Sequence, residues 1–347
     1  MNFIPIDQLR SIEDSKLLYK QRIDDAVQFY KKYGDKFVFR KCPICNSDSS
    51  TSIEPFIDLY SVAKCNVCNS IYVDLVPTNE QLADYYNHCY SNIIYANLNK
   101  TNKTQFKYKE RVDFLYSQII DYVNYHNLSD INILEIGCNN GYFLSLLKNK
   151  LNKLKIKKNL YGIDLDSNAI KEGMEREGGG DCDLKLFSMD ASELGGLGVK
   201  FDFIVHYELI EHLVNPVQFM RIINENLQTN GVTIFTTPNI LGLEAKAIGY
   251  NEERLQVHSV FPPMHLNSFS TQNILYFSIV NGFKLKSLDT PGNLDVAALV
   301  YKNDNLNIRE LRFISKMSDK YKGKIQYLIK FLNASSYMRV VLEKNEN

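Results

Sequence analysis

The stretch HYELIEH crowds His206, Tyr207, Glu208, Glu211 and His212 into seven residues, groups whose common chemistry is proton movement. If a strand ends here and a helical turn follows, Glu208 and His212 stand four apart on one face. That makes a carboxylate–imidazole pair able to take a proton from a hydroxyl. The alternative is that Glu211 and His212 only brace the loop. FPPMHLNSFS, residues 261–270, offers a second base in His265, with two prolines stiffening its approach and Ser270 placed to cap a helix from Thr271. His258 is a weaker rival in the same crossover. Upstream, Tyr85, Tyr86, His88 and Tyr90 form a ring cluster that suits packing, or a cover over a site.

KCPIC and KCNVC set Cys42, Cys45, Cys65 and Cys68 in a CxxC…CxxC arrangement. Each tight turn can direct two thiolates at one ion, and two turns complete a tetrahedron. Zinc fits best, in a structural role, because four protein ligands leave no open position. Four reduced thiols and an iron–sulfur cluster are the alternatives. Cys89, Cys138 and Cys182 show no such spacing, and seven cysteines are an odd number. Both points favour a reducing compartment over a disulfide framework.

A third group lies on ILEIGCNNG, residues 133–141, an apolar run ending in a glycine turn. Gly137 and Gly141 let backbone approach a ligand, and N–H groups at the following helix start can hold a carboxylate. The next strand end, YGIDLD, supplies Asp164, which could accept two ribose hydroxyls; Asp166 suits a helix cap. A dinucleotide site wants the same acid, but its GxGxxG fingerprint is absent. FSMDAS adds Asp190 and the Ala191 N–H, able to read an adenine edge, unless Asp190 simply caps a turn.

These groups need strand ends to hold them. Apolar runs at 132–136, 159–164, 184–189, 201–207 and 231–239 alternate with helical patterns at 141–151, 167–175, 215–228 and 271–281, which predicts a mainly parallel sheet covered on both faces. FKLKSLD (283–289) reads as a sixth strand and MRVVLEK (338–344) as a seventh, inserted last. Helices are expected at 14–34 and 106–125. The chain divides into a helical segment 1–39, a metal ribbon 40–74, a connector with a possible lid and a helix 75–128, a core 129–292, a helical insertion 293–333 and a final strand with tail 334–347. Lys plus Arg and Asp plus Glu number 40 each, so no broad basic face for nucleic acid is expected, although a local patch can exist. No signal peptide or membrane span is legible, which makes the cytoplasm the default. Either the first helix or the insertion could form a homodimer surface or cover its own core.

LEIGCNNGYFL, YGIDLD, FSMDAS, FDFIVHYELIEHL and TIFTTPN, in this order and spacing, resemble the class I S-adenosylmethionine-dependent methyltransferases. The resemblance is strong over 130–240 and looser to the end of the chain. It implies an α/β, Rossmann-like fold with a mostly parallel seven-stranded sheet, an N-terminal zinc ribbon and a helical insertion before the last strand. It implies S-adenosylmethionine held by Glu135, Gly137, Cys138, Asn139 and Gly141 around the methionyl part. Asp164 and Leu165 fall at the ribose, Asp190 and Ala191 at the adenine, and His206 at the neighbouring strand end. Asn139 stands where many relatives have glycine, and asparagine tolerates the left-handed backbone such a turn needs. This version of the turn, behind a four-cysteine module, resembles the branch acting on nucleotide-linked sugars. The implied reaction is O-methylation of a small polar acceptor, with His265 as base beside His212, Glu208 and Tyr207. C-methylation of a keto-sugar stands close behind; tRNA modification and a noncatalytic interaction role are the other classes. TPGNLD resembles a recurrent stretch in which Asp295 caps the inserted helix. Tyr337 replaces a histidine frequent in relatives, so no histidine role carries over there.

Overall fold

The computed structural model describes residues 12–99, 105–177, 183–248, 260–306 and 312–345. His258 and Cys182 lie outside these described residues.

Helix α1 (Ile12–Tyr33) stops at Gly34, where a Cβ would strike the Tyr30 ring at 2.9 Å. β1 (Val38–Phe39) leads into an antiparallel sheet of β2 (Ser50–Phe56), β3 (Tyr60–Cys65) and β4 (Ile71–Val73), and β5 (Leu75–Val76) returns to pair with β1. Ala26 of α1 shares a core with Tyr60, Val62 and Val73 of this small sheet and with Phe261 and Leu266.

The polar connector proves more regular than expected. It forms α2 (Asn79–His88) and α3 (Tyr90–Asn99) before α4 (Gln105–His126). The signal for α2 was present: Thr78 and Gln81 make a reciprocal capping box, each side chain bonding the other's backbone N–H.

The main sheet then follows from β6 (Asp130–Ile136), β7 (Lys157–Asp164), β8 (Leu184–Ser188), β9 (Phe201–Tyr207), β10 (Leu227–Pro238), β11 (Phe283–Asp289) and β12 (Tyr337–Lys344). Its order is β11-β12-β10-β9-β6-β7-β8. The five strands from β10 to β8 run parallel, and β12 enters antiparallel to both neighbours. This is the expected seven-stranded sheet with its last strand inserted.

The interleaved helices are α5 (Tyr142–Leu151), α6 (Ser167–Arg176), α7 (Pro216–Asn226), α8 (Leu243–Ile248) and α9 (Ile274–Val280). Asp166 caps α6, accepting from Asn168 and Ala169, while Asn215 caps α7 ahead of Pro216. Ile131 and Ile133 of β6 pack with α4 and α5 on one face; Leu134 and Ile136 pack with α7 and α9 on the other. The side on which successive strands are added switches at β6, between β7 and β9, and ligands of such sheets bind outside the carboxyl ends at that point.

The insertion comprises α10 (Asp295–Leu306), α11 (Arg312–Ser315) and α12 (Asp319–Phe331). The side chain of Asp295, expected as a helix cap, is instead a buried tie. Its carboxylate accepts from Gln326 Nε2 (2.7 Å), Ser335 Oγ (2.6 Å) and the Ser336 N–H (2.6 Å), fastening the insertion to the approach to β12. No helix among the described residues is long and apolar enough to cross a membrane.

Candidate functional site

The turn after β6 is held by backbone. The N–H groups of Gly137 and Cys138 both reach the Ile163 carbonyl, and Gly137, Asn139 and Gly141 take φ of 75°, 51° and 69°. Asparagine thus occupies the left-handed position, as its local chemistry allows. Asp164 lies beneath: its two oxygens accept from the Asn139 N–H (2.7 Å) and the Asp166 N–H (2.9 Å). Each carboxylate oxygen has a further lone pair to offer a hydroxyl. Cys138 turns its side chain inward, against the space beside Gly162, so that only its backbone faces the turn's surface. Leu165 is largely exposed next to Asp164. Asp190 is exposed and caps the 3-10 turn Ala191–Leu197, with Oδ1 accepting from both the N–H and the hydroxyl of Ser192.

Below this turn sits a carboxylate in an unfavourable place. Glu135 is 5% exposed, and its Oε2 has no hydrogen-bond partner. Burial pushes its carboxyl up to about 8, against the pull of Arg111 and with a further push from Asp164. Arg111 comes from α4, with its guanidinium 4.5 Å from the centre of the Tyr207 ring and Nη2 3.3 Å from the Tyr337 hydroxyl, while its Nε is buried without a partner. Sequence reasoning missed this arginine. A signal existed: Arg111, Leu115 and Ile119 follow one another at fourfold spacing, a cation on the helix's apolar stripe.

Strand alternation separates His206 from this cradle. Val205 and Tyr207 point to the α4–α5 side, where Tyr207 meets Phe143, whereas His206 points to the α7 side. There it is 0% exposed, stacked on Phe235 at 4.8 Å and edge-on to Phe219, with both ring nitrogens unpaired. Burial holds it down to about 3. The structure does not bring His206 to the cleft.

HYELIEH does not form the helical turn expected of it. Glu208 adopts φ 53° and the helical part is a 3-10 turn over Ile210–His212, so Glu208 and His212 do not pair. Glu208 accepts from the Thr236 hydroxyl at 3.0 Å. Nδ1 of His212 lies 2.9 Å from the Met264 carbonyl and 3.2 Å from the Tyr86 hydroxyl. A carbonyl only accepts, so Nδ1 carries the hydrogen and Nε2 keeps its lone pair. Burial holds His212 down to about 4. His265 meets it edge to face, ring centres 4.6 Å apart, on a loop tied by reciprocal backbone bonds to Phe261. Ser270 does not cap a helix from Thr271: it exchanges bonds with Asn273 in the turn ahead of α9, which begins at Ile274. Glu211 is buried with Oε1 unpaired, and desolvation, then the charge of Glu208, raises its carboxyl well above the usual range. One ligand atom from each of Glu211, His212 and His265 falls within 4.8 Å of the others. Of the tyrosine cluster, Tyr86 reaches this site; Tyr85 packs on Phe29, and His88 and Tyr90 are exposed.

The four cysteines converge, their sulfurs within 4.8 Å of one another. Cys42–Cys68 and Cys45–Cys65 sulfur separations of 3.5 and 3.4 Å are far too long for disulfides. Both turns are built alike: Asn46 and Asn69 each follow the second cysteine at φ 58°, and each sends its N–H to the carbonyl of the first. This group can hold a metal ion. It is also joined to the histidine loop. Val73 N–H bonds Leu266 O, Ser268 N–H bonds Ile71 O, and Arg40 spans the carbonyls of Val73, Val214 and Leu266 at 2.8 Å each.

Residues 108–276 match a family described as a methyltransferase domain. No curated protein matches the chain. Among solved structures, the [4+2]-cyclase SpnF is similar at 13% identity and TM-score 0.42, over 63% of this chain and 76% of its own. An S-adenosylmethionine-dependent methyltransferase from Mesorhizobium loti is similar at 14% identity and TM-score 0.40, over 62% and 92%. The mycolic acid cyclopropane synthase CmaA1 follows at 17% identity and TM-score 0.40, over 68% and 88%. With strand order, glycine turn and family match in agreement, residues 108–276 form a methyltransferase domain of the class I, S-adenosylmethionine-dependent kind.

Proposed function

We propose that the protein methylates a hydroxyl of a small polar metabolite, a nucleotide-linked sugar first among candidates, with His265 as proton acceptor and zinc in the four-cysteine module. The observation that carries the donor site is the unpaired, buried Oε2 of Glu135 beneath a left-handed turn. A carboxylate so placed suits an ammonium group, and Arg111 nearby suits a carboxylate, which together match the two ends of the donor's amino acid. Asp164 takes the ribose hydroxyls, Leu165 covers the base, and Asp190 with Ala191 reads the adenine edge. S-adenosylmethionine, when bound, supplies a methyl carbon on a positively charged sulfur.

The residues beyond Tyr207 then serve the acceptor. An alcohol must shed its proton around transfer, and the role of receiving it is assigned to His265, whose ring packs against His212. His212, held near 4, is too weakly basic for that work at neutral pH; Met264 and Tyr86 fix its ring, and it packs against His265. Glu208, Tyr207 and Tyr337 line the same edge, which favours a polar acceptor. Cytoplasmic placement agrees with the reduced cysteines, and four thiolates with structural zinc. A C-methylated keto-sugar is the second reading.

The test is incubation with labelled methyl donor and separate pools of sugar nucleotides, quinones, phenols and tRNA. Label in the sugar nucleotides supports the proposal, and label confined to tRNA overturns it. A labelled methyl group bonded to carbon, read from its carbon-13 chemical shift, would move the assignment to C-methylation.

A further inference from the structure

We infer that the outward face of α12 docks the protein on an anionic lipid surface. The chain as a whole has a formal charge of zero, yet residues 312–332 carry six cations against the single acid Asp319. The same segment holds the densest set of exposed large apolar side chains on the insertion: Tyr327 is 61% exposed, Leu328 52%, Phe331 73% and Leu332 63%.

Helical spacing explains how both properties share one face. Gly323, Gln326 and Ile329 turn inward, where Gln326 bonds the Asp295 carboxylate and the Gly292 carbonyl and Ile329 joins the core of the insertion. Lys320, Lys324, Tyr327, Leu328 and Phe331 recur at three- and four-residue steps on the opposite side, and all five are exposed. The helix is therefore fixed by one face and presents rings, aliphatic chains and ammonium groups on the other. That mixture is poorly suited to water, and lysines set among the apolar groups oppose a dry contact with another neutral protein face. It matches a bilayer boundary, where apolar side chains enter the acyl edge and lysines reach the phosphates. The exposed face of α9, with Leu275, Ile279 and Val280, has no charged residue in the helix and lacks this match.

The position of α12 gives the surface a consequence. Residues 333–336 lead from it to Tyr337, whose hydroxyl lies 3.3 Å from Arg111 in the cleft. Docking through this face holds the carboxyl edge of the sheet close to the lipid boundary.

The experiment is sedimentation of the full-length, metal-loaded protein with vesicles of phosphatidylcholine, alone or with about 30 mol% phosphatidylglycerol. Binding to the anionic vesicles at least about tenfold above neutral ones, and lost near ~0.5 M salt, supports the inference. Phe331→Ser with Leu332→Ser is expected to lower vesicle binding about tenfold, and Lys320→Gln with Lys324→Gln to abolish the preference for anionic lipid. Melting temperature and donor affinity should be unchanged in both variants; the lysine pair still decides the matter if the apolar pair misfolds. No binding to either vesicle, or equal binding to both, overturns the inference. So does a dimer that dissociates in the Phe331/Leu332 variant, which assigns the face to a second copy. Retention of tRNA that depends on the lysines and not on Phe331 and Leu332 assigns it to nucleic acid and overturns it too.

Discussion

Oε2 of Glu135 and Nε of Arg111 are both buried and both unpaired, and although each feels the other's charge, no ion pair joins the two side chains. Proteins rarely leave a buried acid and a buried guanidinium nitrogen both unsatisfied, because each carries a desolvation cost that a direct pair would offset. Held apart, they can receive the two charged ends of one ligand. Glu135→Gln is expected to weaken S-adenosylmethionine binding by about 2 kcal/mol, roughly thirtyfold, in calorimetry. Unchanged affinity would remove Glu135 from the site.

The same residue gives a stability prediction with a definite sign. Its carboxyl sits at about 8 in the fold against 4.5 when free. Below pH 4.5 both states are protonated and burial carries no ionic penalty; the penalty grows between 4.5 and 8 and is constant above. Glu135→Gln should therefore stabilise the unliganded protein increasingly across that window, by on the order of 4 kcal/mol at pH 8. Melting curves at pH 5 and 8 test it, and an equal effect at both pH values would contradict the buried-carboxylate account.

His206 makes the opposite case. Its folded value near 3, below 6.5 when free, means that its contribution is intact above pH 6.5 and lost as pH falls toward 3. His206→Phe, set between Phe219 and Phe235, removes two unpaired nitrogens and that acid sensitivity. A gain of about 2 kcal/mol at pH 5, with donor affinity unchanged, is expected. Loss of donor binding would restore His206 to the cofactor site.

For proton transfer, His265→Asn is expected to lower kcat by roughly 10²–10⁴ with donor affinity retained. His212→Asn should cost less and leave the acid limb of the pH–rate profile in place, since His212 titrates near 4. Disappearance of that limb in His212→Asn, with His265→Asn still active, would exchange the two roles. Metal titration belongs beside this assay because Glu211, His212 and His265 also have metal-ligand spacing.

The four-cysteine module should influence catalysis at a distance. β4 is bonded to residues 266 and 268 of the histidine loop, and Arg40 bridges both. Cys45→Ser, or chelation, is expected to release one metal ion per chain, lower the melting temperature and reduce kcat far more than donor affinity. Full activity without metal would show that the loop holds its place unaided.

Gly173 offers a steric test of the glycine turn. A Cβ there would lie 2.4 Å from the Asn140 carbonyl oxygen, a contact backbone must move to relieve. Gly173→Ala should displace the turn, with a stability loss of about 1–3 kcal/mol and a matching loss of donor affinity. Normal binding would mean that α6 shifts instead.

Local chemistry made much of this legible. The apolar runs marked the strands, the paired CxxC turns marked the four-cysteine group, and Asp166 sat where a cap is needed. Gly137, Asn139 and Gly141 all take the left-handed angles their residue types allow. These features depend on a few neighbouring residues, and sequence carries that information directly.

Other features depend on which groups meet across the fold. His206 and Tyr207 are adjacent in sequence, but pleating sends one into the core and the other to the cleft. Glu208 and His212 have helical spacing, but Glu208 itself takes a left-handed angle, and no helical turn brings their side chains together. Arg111 reaches Glu135 only when α4 is laid along the sheet, and Asp295 finds Ser335 only when the insertion folds back. Sequence determined the elements and the chemical groups; burial and the direction of each strand face decided which of those groups can act.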